Sequence, residues 1–155
     1  MKLSALQLDH YFIQSQGFEM DPNFNPEEDI VHSTKSLDVN VIFDTFTQED
    51  DGGNDVQACF LEVQHEAPDD INAPYLFHLR IVGYFSWLPN TKVENKNRVF
   101  RVNAPSMLYG MARDMIKTDT SKGPYSPVHL PSVSFLYLAD ELDEKADGDS
   151  ITPTE

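Results

Sequence analysis

Between Tyr75 and Phe85 apolar side chains fall on every second position: Tyr75, Phe77, Leu79, Ile81 and Phe85 share one parity, and Leu76, His78, Arg80 and Tyr84 the other. Successive side chains leave opposite faces of a pleated strand, so this run specifies a strand with one dry face. A dry face has to be covered by a second layer, which excludes an extended or purely surface role for the segment. Leu8 to Phe18, Val39 to Phe46 and Val56 to Gln64 alternate in the same way and are rich in aromatic or β-branched residues. The connections between the later strands are short enough for hairpins. The gap from Glu19 to Asp38 is long and carries Pro22 and Pro26, so the chain is expected to cross over there rather than turn straight back.

After Trp87 the period changes. Ala104 to Thr120 sets Leu108, Met111 and Met115 on one helical stripe with Ala112 beside them. Asn103 is a cap candidate with Pro105 in the first turn, and Lys122, Gly123 and Pro124 supply a cation, a left-handed stop and a terminator. A second helix is expected from near Ser132, carrying Phe135, Leu138 and Leu142 at helical spacing. Strands first and helices last point to an α+β fold, a four-stranded antiparallel sheet with helices packed on one face.

The chain has 26 acidic and 11 basic side chains in 155 residues, a formal charge of −15, which repels phosphate backbones and anionic headgroups. No nucleic-acid partner and no membrane insertion are expected: aromatic stacking needs a cationic track, and the roughly 18 uninterrupted apolar residues of a membrane span occur nowhere. Lys92, Lys96, Arg98 and Arg101, mixed with Glu94, form the one basic cluster, suited to an acidic partner or to the chain's own acidic end. That end, Ala139 to Glu155, holds seven acids and only Lys145 against them. From Lys145 onward almost no large apolar residue remains, so residues 145–155 are expected to trail as a solvated tail behind a domain spanning 1–144. Glu49 to Asp55 and Glu66 to Asp70 read as acidic loops.

Residues that could carry chemistry are present but not assembled. Cys59 stands alone, so it closes no internal disulfide and builds no cysteine-rich zinc site. With no signal-peptide pattern at the amino end, a cytoplasmic location follows as the expectation. His65-Glu66 lacks a second histidine one helical turn on, no glycine-rich phosphate loop occurs, and His10, His32, His78 and His129 are scattered. We therefore expect no enzyme. What stands out instead is 17 aromatic residues together with Met107, Met111 and Met115, a composition that can meet varied apolar partners.

Longer strings carry a resemblance. Asn103-Ala104-Pro105-Ser106-Met107-Leu108-Tyr109-Gly110-Met111-Ala112-Arg113-Asp114 is followed by Ser121-Lys122-Gly123-Pro124-Tyr125 and then by Val128-His129-Leu130-Pro131-Ser132-Val133-Ser134-Phe135. Upstream stand Gly17-Phe18-Glu19 and Val82-Gly83-Tyr84-Phe85-Ser86. In order and spacing, from Leu8 to about Leu142, these resemble the SecB family of molecular chaperones, with Ser134 where that family usually has asparagine.

The resemblance implies a homotetramer, a dimer of dimers, with edge strands pairing across the dimer and long helices between the sheets. Tyr75, Phe77, Leu79, Ile81, Met111 and Met115 are the residues it assigns to assembly. It implies binding of unfolded polypeptide without nucleotide, metal or other cofactor, and delivery to the SecA motor of the translocase. The family's client groove, between the crossover and the last helix, carries over to Phe24, Ile30, Phe135, Tyr137 and Leu138. Its acidic docking patch on the outer sheet face carries over to Glu19 and Leu76 alone, because Ser15 and His78 stand where two further acids are usual and Arg80 lies on the same face. Export is accordingly the leading expectation. A chaperone dedicated to one client, such as the antitoxin of a toxin–antitoxin pair, and a non-chaperone adaptor for one folded partner are the rivals.

Overall fold

A computed structural model describes residues 1–30, 36–47, 55–66 and 70–148; His32, most of the two acidic loops and residues 149–155 lie outside them. The elements follow in the order β1 (Leu6–Met20), β2 (Leu37–Thr47), β3 (Asp55–His65), β4 (Tyr75–Trp87), α1 (Lys96–Thr120) and α2 (Leu136–Gly148). All four strands of the sequence reading are present, most of them longer by a residue or two at an end. They form one antiparallel sheet in the order β1-β4-β3-β2. The segment after β1 thus carries the chain from one edge of the sheet to the other, as its length and prolines imply.

Parity sorts the two faces. Tyr75, Phe77, Leu79, Ile81 and Phe85 of β4 and Cys59, Leu61 and Val63 of β3 are buried on the inner face. Phe100, Ala104, Leu108, Ala112 and Ile116 of α1 recur every fourth residue and are buried in the same core. Each large side chain fully removed from water in this layer contributes about 1.5–3 kcal/mol. The closest approach uses Gly83: a Cβ there would lie 2.9 Å from Leu108 Cδ2, so the missing side chain is what lets α1 press on β4. Cys59 is buried and free, and its burial pushes the thiol up to about 12, which leaves it protonated and unreactive near neutral pH.

Two helix boundaries differ from the sequence reading. α1 begins eight residues before the expected Ala104, because Asn95 and not Asn103 is the cap: Asn95 takes φ 51° and its side chain accepts from Arg98 N at 3.1 Å. Pro105, read as a first-turn residue, lies inside the helix. A proline there deprives the Arg101 carbonyl of its helical donor at a cost of about 3 kcal/mol, and burial of Phe100, Ala104 and Pro105 itself offsets that cost. The second helix starts at Leu136 rather than near Ser132, since Ser134 turns its hydroxyl to accept from Leu136 N at 3.4 Å. It continues to Gly148, past Lys145 where the tail was expected to start, and it packs on α1 more than on the sheet.

Candidate polypeptide-binding site

The crossover after β1 is built by short-range polar bonds. Asp21 N donates to Pro74 O at 2.9 Å, and the Asp21 carboxylate accepts from Asn23 N at 2.9 Å, closing an Asx turn. Asn72, across the β3–β4 connection, accepts from Asn25 N at 2.9 Å and donates to the carbonyls of Asn25, Asp29 and Glu28 at 2.9, 3.2 and 3.4 Å. One side chain therefore satisfies several backbone groups of a loop that has no ladder of its own. Phe24, held in place by this loop, meets Tyr125 edge to face with ring centroids 4.8 Å apart. Tyr125 is in turn fixed by Tyr75, whose hydroxyl accepts from Tyr125 N at 2.8 Å and donates to Tyr125 O at 3.1 Å. Ile30 stands exposed at the end of the described crossover.

The approach to α2 is fixed from α1. Tyr109 donates its hydroxyl to Pro131 O at 2.8 Å, and Arg113 Nε donates to Leu130 O at 3.2 Å. Phe135 then packs edge to face on Tyr109 at 5.9 Å. Burial pushes the Tyr109 phenol above its ordinary value, against a smaller downward pull from the Arg113 guanidinium. Tyr137 is also raised, first by burial and then by the neighbouring Glu141 carboxylate.

The five residues assigned to the groove divide into two groups. Phe135 and Leu138 are only 3% and 7% exposed, docked against α1, because their i, i+3 spacing is the stripe that faces the first helix. Tyr137 is 48% exposed, Ile30 is exposed and Phe24 is half-buried. Phe24 meets Tyr125 just beyond the end of α1, whereas Phe135 meets Tyr109, about 16 Å back from that end at 1.5 Å per residue. Leu136, 57% exposed, and Val133 join Tyr137 as apolar side chains open to solvent. Sequence reasoning missed both; the signal is in the helical period, because an apolar residue off the docking stripe of an amphipathic helix has no intramolecular partner. Asn72 and Tyr125 left no comparable signal, since their roles depend on loops that meet only in the fold.

Of the residues assigned to assembly, Phe77, Leu79 and Ile81 are buried in the core that the chain's own helices cover, and Tyr75 is buried against Phe18 and the turn at Gly123 and Tyr125. Met111 and Met115 are half-buried beside that core. The two docking residues are brought together: Glu19 pairs in register with Leu76 on the outer face, beside a concavity of about 580 Å³ that Gly17, Gln64, Glu66 and His78 also line. Gly17 leaves room for the His78 ring, which a Cβ there would meet at 2.8 Å. Ser15 lies opposite Arg80, and Arg80 is paired with Glu62 at 2.8 Å, so this end of the face carries fewer free acids than the resemblance would require. Among the described residues no cluster of three or more His, Cys, Asp or Glu could hold a metal, and no helix is long and apolar enough to cross a membrane.

Residues 2–144 match the family described as SecB: Preprotein translocase subunit SecB. The chain belongs to the SecB family. No curated protein sequence is similar to it at a significant level. Among solved structures, a Streptococcus agalactiae protein of unknown function is similar at 13% identity with a TM-score of 0.50, over 82% of this chain and 97% of that one, a likeness of fold. The Mycobacterium tuberculosis Rv1957 SecB-like chaperone, solved in complex with a ChAD peptide from the Rv1956 HigA1 antitoxin, is similar at 15% identity with a TM-score of 0.43, over 84% of this chain and 91% of that one. The α+β reading, an antiparallel sheet of four strands with helices on one face, is the SecB-like architecture.

Proposed function

We propose that this protein is a cytoplasmic, ATP-independent holdase that binds unfolded or non-native polypeptide and keeps it competent for the Sec translocase. The observation that carries the reading is the family match over residues 2–144. Exposed Ile30 on the crossover and exposed Leu136 and Tyr137 on α2 support it as apolar surface for a client. Binding of the unfolded state alone withdraws it from folding and aggregation by mass action, with no chemical step and no cofactor. The working unit is a homotetramer, in which the exposed edge of β1 and the half-buried Met111 and Met115 are the surfaces available for pairing. The acidic residues from 145 onward keep the unliganded chaperone soluble.

A second reading has its own support. The outer-face positions Ser15 and His78, with Arg80 neutralised by Glu62, leave Glu19 and Leu76 as a reduced docking site for SecA. That favours a SecB-like chaperone dedicated to one client, such as an antitoxin. Suppression of aggregation separates these readings from an adaptor for one folded partner. Stoichiometric protection of several unrelated unfolded proteins without nucleotide supports the holdase, protection of a single one supports the dedicated chaperone, and protection of none supports the adaptor. Titration with the zinc-containing tail of SecA tests the export step.

A further inference from the structure

The sheet face that the helices leave open carries one apolar row where a polar one is the norm. Phe12 pairs in register with Val82, Val82 with Phe60, and Phe60 with Ile42, so these four outward-facing residues stand side by side across β1, β4, β3 and β2. At about 4.8 Å per strand the row is about 14 Å long, the reach of roughly four residues of an extended chain. Its ends are open, Phe12 at 40% and Ile42 at 59% exposure, while Val82 in the middle is fully buried between its neighbours on the sheet. Tyr84 leans against Phe12 from the next row, with ring centroids 6.2 Å apart. On the other side the rows obey the usual alternation: Ser15, Arg80, Glu62 and Asn40, then Gly17, His78, Gln64 and Asp38. An apolar strip with a polar rim marks a contact surface.

Charge decides what fits it. Among the described outward-facing strand residues the acids are Glu19, Asp38, Asp44 and Glu62, against Arg80 as the single Lys or Arg, and Arg80 is already paired with Glu62 at 2.8 Å. Three acids remain without a strong cation, which favours positive charge in the occupant and disfavours a second copy of a chain carrying −15. We propose that the row Phe12–Val82–Phe60–Ile42 is a second client contact, which grips short aromatic or aliphatic stretches of unfolded polypeptide flanked by Lys or Arg. The proposal rests on the holdase reading and adds to it a surface on the opposite side of the sheet from α2.

The test measures fluorescence anisotropy of two labelled peptides against the full chain. Each has a core of about four Leu and Phe residues, the length of the row; one is flanked by Lys, the other by Glu. The Lys-flanked peptide should bind, and the doubly substituted Phe12→Ser/Ile42→Ser protein should bind it about tenfold more weakly through loss of apolar contact. Asp38→Lys/Asp44→Lys, which leaves the apolar row intact, should weaken the Lys-flanked peptide and strengthen the Glu-flanked one. Leu136→Ser on α2 should leave a residual affinity that the row substitutions remove. If the row variants keep full affinity with an unchanged melting temperature while Leu136→Ser abolishes binding, the row is not a client contact although the holdase reading stands. If the row variants change only the oligomeric mass in light scattering, the face is a contact between copies and the proposal is overturned. Absence of both peptide binding and aggregation suppression in the unsubstituted protein sinks the holdase reading itself.

Discussion

The two ends of α1 are held by opposite chemistry. At the C-terminal end the inner fastening is uncharged and enclosed, beneath an outer Lys122–Asp119 pair at 3.1 Å: Thr120, fully buried, donates its hydroxyl to Ile116 O at 2.7 Å and accepts from Val128 N at 2.8 Å, and Gly123 lies against the ring of Tyr75. At the N-terminal end the fastening is charged and wet. Arg98 pairs with Asp143 at 2.7 Å and Asp140 at 3.4 Å of α2, with all three side chains well exposed, and Arg101 lies over the Phe43 ring at 5.0 Å. Tyr75 couples the enclosed end to Tyr125, and Tyr125 to Phe24, so that fastening fixes the crossover wall of the candidate site. The wet end adds exposed ion pairs to α2, the other wall, which Phe135 and Leu138 already dock on α1. Exposed ion pairs contribute little and are screened by salt, whereas buried hydrogen bonds are costly to leave unmade. The molecule therefore has one rigid wall and one that is loosely fastened.

Gly123→Ala attacks the rigid end and should have the largest effect. The new Cβ would lie 2.6 Å from Tyr75 Cε1, so the ring or the turn must shift, and overpacking of this kind costs about 1–3 kcal/mol of unfolding free energy, read from a urea melt. Gly110→Ala is the matched control: it has open space around its Cβ on α1 and should gain up to about 1 kcal/mol from helix propensity. Equal effects of the two substitutions would break the contrast. Thr120→Val comes next, by about 1–2 kcal/mol, because it strands the Val128 amide without a partner. Tyr109, between the ends, gives a pH signature. Its phenol is raised by burial, so the folded state holds the proton more tightly than the unfolded one; its contribution is intact below about pH 10, the ordinary tyrosine value, and is lost as pH climbs through the raised folded value. Tyr109→Phe should flatten that alkaline fall in stability, and an unchanged slope would locate it elsewhere.

How much of this could be read beforehand depended on whether a feature repeats. Strands β1 to β4 were legible because alternation is recorded at every residue, and the crossover because a long gap with Pro22 and Pro26 cannot make a hairpin. The start of α1 was not, since Pro105 is a strong local mark of a first turn and tertiary burial of Phe100 and Ala104 overrode it. The helical stripe was read as Leu108, Met111 and Met115 with Ala112 beside it; Leu108 and Ala112 are buried together with Ile116, and the two methionines, one helical position round, are half-buried. In the candidate site, the apolar character of α2 was visible, yet its period pointed to Phe135 and Leu138, which dock inward, and away from Leu136, which faces out. The apolar row on the open face needed cross-strand register, which no single segment contains. The basic cluster was read as suited to an acidic partner or to the chain's own acidic end, and within the chain Arg98 meets Asp140 and Asp143.

Arg98→Ala probes the loose end and should produce the smallest change, about 0.5–1 kcal/mol at low ionic strength and close to nothing at high salt, because the pairs it removes are exposed. Its effect should be local. Amide hydrogen exchange should quicken along α2, where Asp140 and Asp143 lose their cation, while the amides of β4 and of the Thr120–Tyr125 turn keep their protection. Since Phe135 and Leu138 lie beneath α2, loosening it exposes apolar surface, and the variant should bind an unfolded client at least as tightly as the parent. Faster exchange at Val128 or Tyr125 instead would mean that the two ends of α1 are one cooperative unit, and the division into a fixed and a movable wall would be lost.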